Sequence, residues 1–524
     1  MLMHHLLLRS AERTPDKTAF VWVDRGMAHS YAQAVAAMHD MAGVLTHLGV
    51  QKGDRVTVFA HNGMDYLYAM LGAWRIGAIA ALVNVKFADE LTYYFADHTP
   101  KVVIYTHDMH QAVSAAAAQV PGVAHLVCMD KAQEGAHSLP ALLAAHLPPG
   151  PDPEDESAIA HLSYTSGTTG KPKGACLAHE PTVRATRCIA ERLRITANDV
   201  GFGPSALSSS YQLVANLLPC MAQGATAQVM RFWTQAAGWD AMDAARASVL
   251  VGNPTFLQDL LLESRLRGRV PHGLRMGLSG GGPVPPTLKK AWRDSLKLPL
   301  VESFGQSELG GFMALGYPEL EMDDAKLGRV GPALPDKEVW MQDSAGQRLP
   351  PGKVGEIVLR GGFMWGYWGL PEKTAQATHG GLLRTGDLGL VDSDGFITMR
   401  GRRSELLVVG GVDWYPRDIE EALCQHSGVR QAALIGLPDA ALGTRPVAYI
   451  TRTDGGLQAA ATLDTAPLLE AIAKALPQYA LGPLTVQIVA EMPMTPTGKI
   501  AKAELAASAL KAAQTAAPAA VQMA

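Results

Sequence analysis

A short polar segment at residues 165–173 concentrates groups that bind phosphate. It reads TSGTTGKPK and holds two glycines, four Ser or Thr hydroxyls and two lysines. Backbone N–H groups, hydroxyls and ammonium groups together form a cradle for polyphosphate. The segment is not a Walker loop, because that motif needs glycine where Thr165 stands and Ser or Thr where Pro172 stands. Strand-like sequence on both sides predicts a hairpin tip, which is either a phosphate cradle or a plain polar turn.

Three later segments place charged side chains beside glycine. They are ESFGQSELGG at 302–311, RTGDLGLVDSDGFITMRGRRSELLVVGG at 384–411 and MTPTGKIAKAEL at 494–505. Asp387 follows T-G on a tight turn, where a short carboxylate can accept both hydroxyls of a ribose or close an ordinary Asx turn. The sequence therefore holds groups suited to phosphate and to ribose in separate segments.

These four segments, in this order, resemble the signatures of the adenylate-forming superfamily, which includes acyl-CoA synthetases, peptide-synthetase adenylation domains and firefly-type luciferases. The resemblance covers residues 160–505, and the N-terminal third fits in length and pattern only. Two departures stand out. Ser307 replaces the family's usual threonine, and Ala206 and Leu207 stand where many relatives have Phe-His.

The resemblance implies ATP-dependent activation of a fatty or aromatic carboxylic acid to an acyl adenylate, with release of pyrophosphate, and then thioester formation with coenzyme A. ATP, Mg²⁺ and coenzyme A are the implied cofactor and co-substrates. Positioning and charge neutralisation carry most of such catalysis. The implied catalytic residues are Lys499, Glu308 and Thr165, with Glu308 as the Mg²⁺ ligand. The implied ATP- and AMP-binding residues are Thr165, Ser166, Gly167, Thr168, Thr169, Gly170, Lys171, Lys173, Gly281, Gly282, Glu302, Ser303, Phe304, Gly305, Ser307, Asp387, Arg402 and Lys499.

The resemblance also implies a small C-terminal domain that swings between the two half-reactions. Ser404 would be its pivot, where most relatives carry aspartate or lysine. Gly410 and Gly411 would line the channel for the pantetheine thiol, because backbone can approach a ligand closely where side chains are absent. A plain hairpin turn is the alternative for these two glycines.

Other functions remain open at this point. One alternative is an acyl-AMP ligase that loads a separate carrier protein, and another is an oxidative luciferase-like enzyme. A remote alternative is a serine hydrolase, because residues 277–281 spell G-x-S-x-G. That motif requires a strand before the serine and a helix after it. Here three glycines and Pro283 follow Ser279, which is a poor helix start.

The elements that must position these residues follow an α/β rhythm. Apolar residues spaced by three and four between Ala34 and Leu48 predict a helix, with a Ser30–Gln33 capping box and a stop at Gly49. Strand, helix and strand patterns alternate up to about residue 400. We expect a large N-terminal domain (1–400) with mixed, mostly parallel sheets, a hinge (401–404) and a small mobile α+β domain (405–524).

Composition bounds the class of protein. The chain has 524 residues, 48% hydrophobic and 18% charged, which permits a large core. Its formal net charge of −4 gives no reason to expect nucleic acid as a partner. The five cysteines are scattered and favour a reducing compartment. The apolar stretch at 66–83 contains Arg75 and predicts a buried helix and strand, so we expect a cytoplasmic monomer or homodimer without an integral membrane segment.

Overall fold

The computed structural model describes residues 1–165, 171–426, 428–452, 465–479, 481–495 and 500–516. It has large, mostly parallel sheets with helices against them, followed by a separate α+β unit. The first 178 residues contain α1 (His5–Arg13), β1 (Thr18–Trp22), β2 (Met27–Ser30), α2 (Tyr31–His47), β3 (Arg55–Phe59), α3 (Met64–Arg75), β4 (Ile79–Leu82), α4 (Leu91–His98), β5 (Val102–Tyr105), α5 (His110–Ala117), β6 (His125–Cys128), β7 (His137–Ser138), α6 (Leu139–Leu143), β8 (Ile159–Tyr164) and β9 (Gly174–Ala178).

A seven-stranded sheet occupies this part, in the order β7-β6-β5-β3-β4-β8-β9. Its strands pair in parallel except for the antiparallel hairpin β8–β9, which carries the phosphate-type segment at its tip. The sequence prediction of a hairpin at this position is confirmed. The predicted capping of α2 is also confirmed, because the Ser30 side chain accepts a hydrogen bond from the backbone N–H of Gln33 and the reciprocal bond is present.

The second large sheet has eight strands in the order β15-β14-β13-β12-β10-β11-β1-β2. Its inner strands are parallel, and β15 returns antiparallel to β14 at the edge. This stretch contains α7 (His179–Arg192), β10 (Val200–Gly203), α8 (Ser210–Gln212), a π-helical turn (Leu213–Leu217), α9 (Leu218–Gln223), β11 (Thr226–Val229), α10 (Gln235–Ala244), β12 (Val249–Gly252), α11 (Pro254–Arg267), β13 (Met276–Ser279), α12 (Pro286–Leu296), β14 (Leu300–Gln306), a 3-10 turn (Ser307–Leu309), β15 (Gly311–Leu315) and a 3-10 turn (Leu320–Met322).

A third, mainly antiparallel sheet follows, in the order β16-β21-β20-β18-β17, with β19 paired to β20. Strand β20 places Asp387 opposite Arg402 of β21. The elements are β16 (Gly331–Pro332), β17 (Lys337–Gln342), β18 (Gly355–Gly361), α13 (Pro371–Ala377), β19 (Thr378–His379), β20 (Leu382–Val391) and β21 (Phe396–Arg402).

The C-terminal part is an α+β unit, as the sequence predicts. A two-stranded hairpin, β22–β23, precedes a three-stranded sheet β24-β25-β26. The elements are a 3-10 turn (Arg403–Glu405), β22 (Leu407–Val409), β23 (Val412–Trp414), α14 (Pro416–Cys424), β24 (Val429–Asp439), β25 (Gly443–Arg452), α15 (Thr465–Ala475), β26 (Thr485–Ile488) and α16 (Lys502–Ala516).

The core explains why the apolar stretch at 66–83 is not a membrane span. Helix α3 is buried along nearly its whole length and leads into β4 inside the seven-stranded sheet. Trp74 is fully buried and its indole N–H donates to the carbonyl of Ala160 at 2.9 Å. Within the described residues, no helix combines the length and the apolar character that crossing a membrane requires.

Candidate active site

The β8–β9 hairpin brings the two ends of the predicted phosphate cradle together. The backbone N–H of Thr165 donates to the carbonyl of Lys173 at 3.0 Å, and the N–H of Lys173 donates to the Thr165 hydroxyl at 3.2 Å. The Lys171 ammonium lies 4.9 Å from the ring centroid of Tyr93. Residues 166–170, the centre of the predicted cradle, lie outside the described residues.

Tyr367 connects this hairpin to the predicted metal ligand. The Lys173 ammonium lies 4.3 Å from the Tyr367 ring centroid, and the Tyr367 hydroxyl donates to Glu308 Oε1 at 2.7 Å. Burial, together with the Glu308 charge, holds the pKa of Tyr367 well above its usual range. The phenol therefore stays protonated and keeps donating to the carboxylate at any pH that an enzyme meets.

Asp387 is held between two donors. Gln306 Nε2 donates to Asp387 Oδ2 at 2.5 Å and to the carbonyl of Thr385 at 3.0 Å. On the other side, Arg402 Nε lies 2.9 Å from Asp387 Oδ1. Asp387 is buried, with 4% of its surface exposed, so these contacts fix the carboxylate in one orientation. It is not the isolated Asx turn that the sequence left open.

The carboxyl ends of β13 and β14 form a closely packed edge. Ser303 Oγ donates to the carbonyl of Ser279 at 3.1 Å. A Cβ on Gly280 would lie 2.5 Å from Ser303 Oγ and 2.8 Å from the Tyr211 ring, so no side chain fits there. The predicted residues Gly281 and Gly282 follow on the loop after β13, and the predicted residues Phe304, Gly305 and Ser307 continue β14 into its 3-10 turn.

These residues form one set in two parts, which the chain joins at Gln306 and Glu308, two positions apart. One part runs from Lys173 through Tyr367 to Glu308, and the other from Gln306 through Asp387 to Arg402. Gln306 and Tyr367 are functional candidates that sequence reasoning missed. Gln306 occupies the position of F-G-Q-S-E at which the motif accepts any residue, so the sequence gives no indication of a role for it. Tyr367 stands in W-G-Y with a signal no stronger than that of a core aromatic residue.

Glu302 lies apart from this set. It is buried at 3% exposure, and its carboxylate faces Lys289 and Arg417, at 3.7 and 3.5 Å, rather than the nucleotide-type residues. The sequence-based assignment of Glu302 to ATP binding remains a prediction, and the side chain's recorded partners are other protein charges.

The remaining predicted residues lie in the C-terminal part. Gly410 and Gly411 form the two-residue turn between β22 and β23, with φ of +57° and +82°, which a type I′ hairpin turn requires. The recorded neighbour of this turn is Leu442, whose carbonyl accepts the N–H of Gly410 at 3.0 Å. Ser404 is exposed in the 3-10 turn after β21. Lys499 lies outside the described residues.

The geometry does not support the serine hydrolase alternative. Ser279 is fully buried at the end of β13, and its hydroxyl has no hydrogen-bond partner among the residues that the structure describes. The next helix, α12, begins only at Pro286, so the strand, serine and helix of a nucleophile elbow are not contiguous. This serine instead offers its backbone carbonyl to Ser303.

Leu207 stands at the position where many relatives have Phe-His, and here it is packed into the protein interior. Leu207 is buried at 1% exposure, and its N–H donates to Asn62 Oδ1 at 2.7 Å. The Asn62 amide donates in turn to the carbonyl of Ser205 at 2.9 Å. Asn62 therefore fixes this turn, and Leu207 packs in the core rather than gating a site.

Comparison with known proteins places the chain among enzymes of one kind. The AMP-binding enzyme family matches residues 7–368, and the AMP-binding enzyme C-terminal domain matches residues 418–499. A sulfoacetate–CoA ligase of Cupriavidus necator is 31% identical over 95% of this chain and 96% of its own. A feruloyl-CoA synthase of Amycolatopsis is 29% identical over 95% of this chain and 97% of its own.

Solved structures agree with the sequence relatives. ATP-bound MatB from Rhodopseudomonas palustris is 28% identical, with a TM-score of 0.86, covering 97% of this chain and 99% of MatB. An anthranilate CoA ligase in complex with anthranoyl-AMP has a TM-score of 0.88 and covers 98% of both chains; at 24% identity it supports the fold alone. The chain belongs to the AMP-binding enzyme family. It is an adenylate-forming acid–CoA ligase, which activates a carboxylic acid as acyl-AMP and passes the acyl group to coenzyme A.

Proposed function

We propose that this ligase activates a compact, uncharged aromatic carboxylic acid. The observation that supports this substrate class is the pair of rings next to Gly280. The Tyr211 and Phe312 ring centroids lie 5.7 Å apart, and the Tyr211 hydroxyl donates to the carbonyl of Leu278 at 3.1 Å. Small residues alone would leave a wide space at the edge of β13 and β14. The two rings make that space narrower.

The groups that contact Tyr211 carry no charge. Within the described residues they are the Leu278 carbonyl, the Ser303 hydroxyl, Gly280 and the Phe312 ring. A second anionic group on the acid would lose its hydration there without gaining a cation, which is costly in a buried site. A flat ring would instead make offset or edge contacts with the two aromatic side chains. Two relatives bear on the choice of acid. The name of the feruloyl-CoA synthase gives an aromatic acid as its substrate, which supports the proposal. The name of the sulfoacetate–CoA ligase gives an acid with a second anionic group, which is the competing substrate class.

We assign the adenylation roles from the connected residues. Asp387, held by Gln306 and Arg402, presents a fixed carboxylate to the ribose hydroxyls. Lys173, on the hairpin end, supplies positive charge for the phosphates. Charge builds on phosphoryl oxygens when the acid attacks the α-phosphorus, so fixed cations lower the barrier. Lys499 and residues 166–170 complete this assignment from sequence alone.

Glu308 fits a divalent cation. Its side chain is partly exposed, and the Tyr367 hydroxyl binds one of its two carboxylate oxygens at 2.7 Å, which orients the group. A carboxylate held by a neighbouring donor is the kind of oxygen ligand that Mg²⁺ prefers. When bound there, Mg²⁺ would neutralise phosphate charge.

Nucleotide product analysis tests the proposal. The protein is incubated with ATP and Mg²⁺ and with benzoate, hexanoate or sulfoacetate, with and without coenzyme A, and the nucleotides are separated by chromatography. We expect AMP and pyrophosphate with benzoate, and turnover that depends on coenzyme A. Preference for hexanoate or sulfoacetate would contradict the aromatic assignment. AMP formation that ignores coenzyme A would instead favour the alternative acceptor, a separate carrier protein.

Substitution of Tyr211 tests the pocket directly. Tyr211→Ala should raise the kcat/KM for hexanoate relative to benzoate by about tenfold, within the range that pocket size can discriminate. Tyr211→Phe is the matched control, because it keeps the ring and removes only the hydroxyl, with its bonds to Leu278 and Ser303. An unchanged preference in Tyr211→Ala would place the acyl group elsewhere.

A further inference from the structure

A buried ion cluster joins β14 to α14. It consists of Lys289 on α12, Glu302 on β14, Glu321 on the 3-10 turn Leu320–Met322, and Arg417 and Glu421 on α14. Lys289, Glu302 and Glu321 are each 5% exposed or less in their side chains, and that of Arg417 is 11% exposed. Charges this deep in a protein require partners.

The distances show how the charges are shared. Lys289 Nζ lies 2.7 Å from Glu321 Oε2 and 3.7 Å from Glu302 Oε2. Arg417 Nη2 lies 3.5 Å from Glu302 Oε1. Among the described residues, neither Glu302 Oε2 nor Glu321 Oε2 has a partner with hydrogen-bond geometry. Glu302 therefore depends on Arg417, because the ammonium that it shares is committed first to Glu321.

Helix α14 brings Arg417 together with the carboxylate of Glu421, so it adds a partner for Glu302 without changing the net charge of the cluster. On the side of β14 there is one cation, Lys289, for the two carboxylates Glu302 and Glu321. Burial raises the pKa of Glu321 to about 7, against the opposing effect of the Lys289 ammonium and with a smaller contribution from the charge of Glu302. Arg417 supplies the second cation from the C-terminal part, and it also binds Glu421 at 2.5 Å on its own helix.

The same helix turn is tied down at a second point. Asp418 Oδ1 accepts a hydrogen bond from Arg400 of β21 at 2.5 Å, and Asp418 Oδ2 accepts one from the Tyr479 hydroxyl at 2.7 Å. Arg417 and Asp418 therefore both contact residues that precede Ser404, the predicted pivot. The first turn of α14 is docked against β14 and β21 across that point in the chain.

We propose that Arg417 is a positioning residue for adenylation: by neutralising Glu302, it couples the placement of the C-terminal part to β14, whose carboxyl end carries Phe304 and Glu308. If the Arg417 side chain moves away, the buried carboxylate of Glu302 keeps only the Lys289 ammonium as a partner, which it shares with Glu321. Strand β14 then loses this contact with α14. The inference rests on the proposed adenylation roles of those two residues.

The first test separates the two half-reactions. Arg417→Gln should slow ATP–pyrophosphate exchange with benzoate by about 100-fold, the cost of misplacing reacting groups by ~1 Å. Thioester formation from supplied benzoyl-AMP and coenzyme A should change by less than about threefold, since it needs no pyrophosphate release. Arg417→Lys, which keeps the charge, should restore part of the exchange rate. Arg430→Gln, at an exposed arginine on β24, is the matched control.

The second test is the double variant Glu302→Gln with Arg417→Gln. The neutral pair removes the unpaired buried charge of Glu302, whereas Glu421 loses Arg417 in both variants. The exchange rate should therefore recover at least about tenfold over Arg417→Gln alone. If Arg417 only stabilised the fold, both half-reactions would fall together and Arg417→Lys would not rescue one selectively. If Glu302 contacted ATP, Glu302→Gln alone would abolish exchange and the double variant would not recover.

The two proposals fail in different ways. The unmodified protein reports on the function itself: absence of exchange with every acid tried would contradict the adenylation roles. Normal exchange in the unmodified protein, with an unchanged rate in Arg417→Gln, would overturn the role of Arg417 and leave the function intact. Limited trypsin digestion gives a readout without substrate, because undocking of α14 should speed cleavage at residues 400–405 in Arg417→Gln only.

Discussion

Gln306 shows how one uncharged side chain can set the orientation of a buried carboxylate. Its amide nitrogen lies 2.5 Å from Asp387 Oδ2 and 3.0 Å from the carbonyl of Thr385, so it bridges β14 and β20. Arg402 approaches the other oxygen of the same carboxylate. With a donor on each side, the carboxylate can rotate little, and its lone pairs stay directed toward where a ribose would lie.

Gln306→Leu should raise the KM for ATP by about tenfold while changing kcat less. The reason is that a hydrogen bond to a charged group contributes about 1.5–3 kcal/mol, and its loss frees the Asp387 carboxylate. Steady-state kinetics with varied ATP would measure this. Gln347→Leu, at an exposed glutamine, is the control. A KM for ATP equal to that of the control would mean that Asp387 is held well enough by Arg402 alone.

At the scale of the elements, the edge formed by β13, β14 and β15 leaves no room for a side chain at Gly280. Strands β13 and β14 run parallel, and β15 returns antiparallel beside them, so three backbones meet at the carboxyl end of the sheet. Gly280 lies where Ser303 and Tyr211 approach most closely. This packing fixes the segment from Phe304 to Glu308 against the helix that carries Tyr211.

Gly280→Ala should therefore reduce both activity and stability. The new Cβ would lie 2.5 Å from Ser303 Oγ and 3.0 Å from the backbone carbonyl oxygen of Ser303, so the backbone must shift. Overpacking of this kind costs about 1–3 kcal/mol. Thermal unfolding and pyrophosphate exchange would show the two effects. Gly482→Ala, whose Cβ would meet nothing within 4 Å, is the control. If Gly280→Ala unfolded at the same temperature and exchanged pyrophosphate at the same rate as the unmodified protein, the edge would be able to accommodate the added methyl group.

At the scale of the whole molecule, two fully buried histidines make stability depend on pH. Burial lowers the pKa of His98 to about 3 and that of His161 to about 4, against 6.5 for an exposed histidine. His98 bonds Thr57 at 2.6 Å and Tyr164 at 2.7 Å, and neither ring nitrogen of His161 has a hydrogen-bond partner in the part of the chain that the structure describes. Both side chains are neutral in the folded protein and become charged on unfolding below pH 6.5.

Stability should therefore fall as the pH drops below about 6.5. Between that value and the folded pKa, the unfolded chain binds more protons, so each histidine removes about 1.4 kcal/mol per pH unit from the free energy of unfolding. Urea denaturation at pH 7.5, 6.5 and 5.5 would measure the slope. His98→Gln should lower the slope, and His146→Gln, at an exposed position, should not. Equal stability at pH 7.5 and 5.5 would contradict the assignment.

The two half-reactions also test the arrangement of the whole chain. Lys499→Ala should nearly abolish pyrophosphate release while leaving thioester formation from supplied acyl-AMP largely intact, because the resemblance places this ammonium at the adenylation step only. Single-turnover assays of each half-reaction would measure the ratio. Lys474→Ala, on α15, is a control lysine in the same part of the chain. An equal loss in both half-reactions would mean that Lys499 does not leave the site between steps.

The sequence by itself determined the family and the α/β architecture, and it supplied the candidate groups for phosphate and ribose. Local patterns carry that information: the capping box of α2 and the glycine-rich hairpin tip depend on neighbours within a few residues. The four motif segments carry it too, because each is a continuous stretch of the chain.

Only the tertiary structure decided which groups meet. Tyr367 binds Glu308 and Gln306 binds Asp387 although these pairs are far apart in the chain, and no local pattern distinguishes Gln306 from any other polar residue. The same holds for Glu302, whose carboxylate faces Lys289 and Arg417. Contacts between distant segments depend on sheet order and strand register, and local sequence patterns do not specify the distances that these create.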